Sequence, residues 1–178
     1  MAIVASDIVF KLSTTSGSAG NTTAGVVGAS LGKYVSTTVV TDGSTNGLFP
    51  NITGSENAAS QVDYACVFVH NTHGSLTLQS AKVYMSAEVS GGASVAIGVD
   101  PTAASAVGSS SAQAVQIAND TAAPAGVTFS TPTTSGAALS LGDIGPGQVR
   151  AFWARRTAAN TAPLAADGVT FAWLGDTL

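Results

Sequence analysis

The chain has 178 residues, 45% of them hydrophobic, yet Asp, Glu, Lys and Arg together make up only 9%, with a net charge of −4. Ordinary soluble domains carry about 25% charged residues, so this surface is built instead from Ser, Thr, Gly, Ala and Asn. Six scattered basic residues leave no basic stripe, which excludes the electrostatic footprint of a nucleic-acid binder.

The N-terminal stretch MAIVASDIVFKL lacks the basic segment of an export signal. Its apolar run also falls far short of the roughly 18 residues that a membrane span needs, so neither insertion nor export is expected. Asp7 to Leu12 reads as a first short strand, with Ile8 and Phe10 facing one way. From Ser13 to Gly47 the chain is rich in Ser, Thr, Gly and Ala, interrupted only by AGVV and KYVSTTVV. Strand register would be weakly specified there. Residues 1–48 are therefore expected to form an extended N-terminal arm or long loop region, and residues 49–178 a β-sandwich domain.

LFPNITGSENAAS reads as a connection between elements. In the next stretch Tyr64, Cys66, Phe68 and His70 alternate with Asp63, Ala65, Val67 and Val69. Both faces are largely apolar, as in a central strand. Cys66 is the only cysteine, so there is no disulfide framework and no CxxC pair, and a small buried hydrophobe is its expected role. After the turn at Asn71–Gly74, Leu76 and Leu78 stand on opposite parity to Val83 and Met85, so a bulge or break is expected near Ser80.

SVAIGVD reads as a strand ending at Asp100-Pro101, AQAVQIAND as strand or short helix, and GVTFS as a brief strand between prolines. Leu139, Leu141 and Ile144 approach a Pro146-Gly147 turn, after which Val149, Ala151 and Trp153 alternate with Arg150, Phe152 and Ala154. Val169, Phe171 and Trp173 repeat that alternation on the last strand. Short strands at this spacing, separated by Gly, Pro and Asn, indicate an all-β antiparallel sandwich, jelly-roll or Ig-like.

Chemistry is harder to find. GxSxG, HExxH, P-loop, GxGxxG and EF-hand patterns are all missing from the sequence, and no cofactor is called for. His70 and His73, with Asp63, form a conceivable metal set, but in a strand and turn that offset separates them. The acids stand singly beside turns, as Asp42, Asp100, Asp120, Asp143 and Asp167 do, and turn capping accounts for them without catalysis. Asn21, Asn51 and Asn119 begin N-x-[ST] triplets, which without an export signal are expected to stay unglycosylated. Trp153 and Trp173 suit core packing better than a sugar-stacking platform. Arg155-Arg156, the single adjacent basic pair, suits a guanidinium stacked at the core rim or a solvated strand end, with an interface salt bridge as the alternative.

The run from Gly47 to Leu178 resembles small structural proteins of tailed-bacteriophage virions. The similar elements are GLFPNITGSENAAS leading into YACVFVHNTHGSLTL, then AKVYMSAEV, IANDTAAPAGVTFS and GDIGPGQVRAFWARRTAANTAPLAADGVTFAW. The resemblance implies a β-sandwich that decorates or cements a capsid, often as a trimer, with the major capsid protein or another virion protein as partner. The expected function is thus a non-enzymatic head-shell stabiliser, located in the virion and assembled in the host cytoplasm. The alternative is a tail or baseplate adhesion module that binds host-surface carbohydrate. On the first reading the candidate interface residues are Ile3, Val4, Ile8 and Phe10 in the arm, with Arg155 and Arg156.

Overall fold

The computed structural model describes residues 2–17 and 22–177. Nine strands follow in chain order: β1 (Ile8–Thr14), β2 (Tyr34–Val39), β3 (Val62–Asn71), β4 (Leu78–Glu88), β5 (Ser94–Val99), β6 (Ser105–Ala106), β7 (Leu139–Ile144), β8 (Gln148–Thr157) and β9 (Val169–Thr177). One short helix, α1 (Gly54–Ala58), precedes β3. The larger sheet has the order β2-β1-β3-β8-β5, with β6 also paired to β8, and the smaller has the order β7-β4-β9. Every strand pair is antiparallel. The two sheets pack as the expected β-sandwich.

Alternation decides which side chains meet. Phe152 and Ala154 of β8 face the smaller sheet with Val67 and Val69 of β3, meeting Val83 and Met85 of β4 and Leu141 and Ile144 of β7. Rings of Phe10, Phe152 and Phe171 close this core edge to face, with centroids 5.4–6.4 Å apart. Such pairs add about 0.5–1.5 kcal/mol each beyond the area they bury. They join β1, β8 and β9 across the sandwich.

Among the described residues, no second sheet lies over the other face of the large sheet. Trp153, Ala151, Val149, Cys66 and Phe68 are instead covered by irregular chain carrying Leu31, Ala114, Ile117, Val127 and Phe129. Buried polar side chains fasten that cover. Asp100, fully buried, accepts from Trp153 Nε1 and the Val115 amide through Oδ2 and from the Thr102 amide through Oδ1, at 2.8–2.9 Å. Gln113 accepts the Val35 amide at 3.0 Å and donates to the Ala106 carbonyl at 2.9 Å. Ser30 donates to the Cys66 carbonyl at 2.6 Å and accepts the Ser13 amide at 2.8 Å. With these partners the buried hydroxyls and amides avoid a desolvation cost of about 1–3 kcal/mol each. Gly32, at φ +84°, lets the cover approach the indole: a Cβ there would overlap the Val115 carbonyl.

The N-terminal region departs from the expected arm. β1 lies between β2 and β3, so residues 8–14 and 34–39 belong to the large sheet. Ser13, Thr14, Ser30 and Ser36 are buried there, with their neighbours Leu12 and Val35. Position 48 therefore does not separate an arm from a domain. Elsewhere the break foreseen near Ser80 is a bulge, with Ser80 at φ 50° and β4 continuous through it. AQAVQIAND is neither strand nor helix; it joins the main sheet's cover through a single bridge from Gln116 to Gly32. GVTFS contributes one bridge, Ser130 to Ile97.

Candidate functional site

Of the six expected interface residues, two lie in the core. Ile8 is buried, and Phe10 packs half-buried against Phe152 and Phe171. Both point between the sheets because they share a strand face with Leu12. Ile3 packs against the same core, and Val4 is 55% exposed. The Val4 amide donates to Asp7 Oδ2 at 2.8 Å, so residues 4–7 form a tight turn leading into β1.

Arg155 and Arg156 separate to opposite faces of β8. Arg155 stacks over Phe129, its guanidinium carbon 5.2 Å from the ring centroid, beside Tyr64 on the outer face. Arg156 faces inward and makes the one ion pair of the described residues. Its Nη2 and Nε donate to Asp63 Oδ2 at 2.6 and 3.2 Å, and Nη1 donates to the Pro50 carbonyl at 2.6 Å. Phe49 lies across the guanidinium at 4.7 Å. The antiparallel register sets Asp63 directly opposite Arg156, so a buried carboxylate acquires its counter-ion and the cation in turn holds the 49–53 segment down.

That segment borders a cleft of about 1040 Å³ at the open end of the sandwich, between the 40–54 segment, the β4–β5 turn and the β8–β9 loop. Phe10 and Phe171 form its apolar floor; Glu88 and Asp167 stand on its wall. Glu88 Oε1 accepts the Val95 amide at 2.6 Å, and Asp167 Oδ2 accepts the Ala93 amide at 2.7 Å. These acids organise the turn and the loop around the cleft. Glu56 has the same kind of task in α1. It closes a capping box with Thr53, whose amide donates to Glu56 Oε2 at 2.6 Å and whose hydroxyl accepts the Glu56 amide at 3.3 Å. The Thr53 amide holds the Glu56 carboxyl below its usual range.

The conceivable metal set is dispersed. Asp63 is engaged by Arg156 at one end of β3, His70 lies at the other end, and His73 Nδ1 accepts the Ser75 and Leu76 amides at 3.1 and 3.0 Å. Burial, with Lys11 nearby, lowers His70 to about 4 and keeps its imidazole neutral. Burial likewise pushes the Cys66 thiol well up, as its place in an apolar strand suggested. Asn51 and Asn119 are exposed, and Asn21 lies outside the described residues.

Turn capping is the sequence expectation for Asp100, Asp143 and Asp167, and Asp100 does hold the Thr102 amide, but the distant partners of these clips are not legible in the sequence. Six of the ten acids bond backbone amides, namely Asp7, Glu56, Glu88, Asp100, Asp143 and Asp167, and Asp63 bonds Arg156. Only the local ones, at spacings of two or three residues, leave a signal in the sequence. The chain matches no family model, no curated protein and no solved structure.

Proposed function

We propose that this protein is a non-enzymatic structural component of a phage particle, a decoration or cement protein bound to the head shell. The observation that carries this reading is how the few charges are spent. Five of the ten acids hold the chain's own amides, Glu88, Asp143 and Asp167 while still exposed, and Arg156 is occupied by Asp63 and Pro50, so few charges are left uncommitted. What remains outside is mainly hydroxyl, methyl and amide surface, which costs little to desolvate against another protein. The resemblance of residues 47–178 to virion proteins supports the same role.

Attachment by a free arm carrying Ile8 and Phe10 has no support in the fold, since both serve the core. The role is assigned to the charge-poor outer surface, where Val4, Val26 and Val39 are exposed. The carbohydrate-binding alternative loses its stacking platform: Trp153 is fully buried, and Trp173 packs half-buried against the inter-sheet core.

The test is immunogold labelling of purified particles that carry the gene, using antibody raised against the folded chain. Label distributed over the head shell is expected. Label confined to the tail, or particles without the protein, would reject the assignment.

A further inference from the structure

The four outer edges of the two sheets are treated differently. Edge strand β5 is covered where Ile97 exchanges both backbone hydrogen bonds with Ser130, at 2.8 and 2.9 Å. Edge strand β2 is covered where the Thr37 amide donates to the Thr23 carbonyl at 2.9 Å and Thr38 Oγ1 bonds Gly25. Edge strand β7 is short, and a register shift at Gly142, φ +75°, kinks it. Among the described residues, edge strand β9 has none of these protections. It runs nine residues, and both bulges in its pairing with β4 fall on the β4 side.

Which of its backbone groups are free follows from the register. The Met85 amide donates to the Pro132 carbonyl at 2.9 Å, so it points away from β9. Its partner Phe171 is then in a non-hydrogen-bonded pair, and the Phe171 amide and carbonyl point outward from the sheet. By the two-residue period, so do those of Val169, Trp173 and Gly175. Among the described residues none of these groups has a hydrogen-bond partner. From Val169 to Gly175 the strand carries no charge. A long, regular, uncharged edge of this kind is a template for strand addition.

We propose that β9 pairs antiparallel with β9 of a second copy of this chain, about a two-fold axis at Ala172. In that register Phe171 faces Trp173 of the other copy, and Trp173 faces its Phe171. The nearest acids, Asp176 and Asp167, meet Gly168 and Thr177, so no like charges are opposed. An axis midway between two residues is forbidden to the free groups, because it would set the odd-numbered residues, which present theirs, opposite even-numbered ones, which do not. Pairing joins the two three-stranded sheets into one six-stranded sheet that runs across both copies. It also covers the half-exposed flanks of Phe171 and Trp173. The dimer does not rest on the particle role, and its two-fold symmetry replaces the trimer that the resemblance implied.

Ala172 lies on the outer face of the small sheet beside Tyr84 and opposite its own copy across the axis, which makes a charge test possible. By light scattering after size exclusion, the wild-type protein is expected at twice the 17.4 kDa chain mass. Ala172→Lys and Ala172→Glu alone should each fall to the single-chain mass, and an equimolar mixture should recover the doubled mass. A monomeric wild type, or an oligomer that neither variant changes, would overturn the proposal. If circular dichroism shows that the variants fail to fold, amide exchange of the wild type decides. Exchange at Phe171 and Trp173 that quickens on dilution supports the pairing, and exchange independent of concentration refutes it.

Discussion

Asp100 Oδ2 accepts the indole Nε1–H of Trp153 at 2.8 Å, with both side chains fully buried. Fifty-three residues apart in the chain, they join the central strand β8 to the irregular cover over the large sheet, because the same oxygen also holds the Val115 amide. Replacing Asp100 with Ala would orphan three donors, the buried indole and two partly buried amides. The expected loss is about 3–5 kcal/mol, from about 1–3 kcal/mol for each donor left unmet and less for the two amides that water can reach. Asp100→Asn keeps one acceptor oxygen and should lose about 1–3 kcal/mol, the cost of one unmet donor. Urea unfolding followed by tryptophan fluorescence checks both values; an Ala variant within 1 kcal/mol of wild type, on the order of a surface change, would show that the bonds are not the fastening.

Arg156 and Asp63 make a second test, because their side chains are only 11% and 7% exposed. Arg156→Ala leaves the Asp63 carboxylate buried beside Gln61 alone, and should cost about 3–5 kcal/mol. Arg156→Lys cannot reach Asp63 and the Pro50 carbonyl in one planar fork, and is expected to fall between. The double variant Arg156→Ala, Asp63→Asn should be less destabilised than the two single losses added, since no unpaired charge is left. Additive losses in a double-mutant cycle would mean that the pair is not coupled.

Much of the fold was legible wherever alternation was strong. Tyr64 to His70, Val149 to Ala154 and Val169 to Trp173 read as strands and are strands β3, β8 and β9. The opposite parity of Leu78 and Val83 gave away the Ser80 bulge. The reading failed where polar residues are buried. Ser13, Ser30, Ser36 and Gln113 look like surface by type, yet each is at most 2% exposed. Bonds spanning 17 to 78 residues hold Ser13, Ser30 and Gln113, a distance across which local pattern carries no information, while Ser36 accepts the Thr38 amide only two residues on. The same limit hid the Arg156–Asp63 pair: 93 residues separate the two, and only the β3–β8 register brings them opposite.

Deleting residues 1–12 separates an arm from a strand. A dispensable arm would leave the remaining domain folded, but β1 is hydrogen-bonded on both sides and supplies Ile8, Phe10 and Leu12 to the interior. Full burial of such a side chain contributes about 1.5–3 kcal/mol, and Ile8 and Leu12 are buried outright while Phe10 is half-buried. Together they are a large part of the 5–15 kcal/mol that holds a typical domain. The truncated chain should therefore show no cooperative thermal transition. A cooperative melt close to that of the full chain would mean that the sheet closes without β1.

Acid should weaken the fold partly through His70. The folded state holds this imidazole down to about 4, first by burial and then by Lys11, whereas an unfolded histidine titrates near 6.5. Between those values the unfolded chain binds the extra proton, so stability rises with pH from about 4 to 6.5 and is lost as the solution is acidified through that window. Because the side chain is only half-buried, solvent screening reduces the effect to about 1 kcal/mol. Carboxylates titrate in the same range, so the informative comparison is His70→Gln against wild type. The difference in urea midpoint between pH 7 and pH 4.5 should shrink in the variant. A ring-proton titration of wild-type His70 centred near 6.5 would remove the basis for the effect.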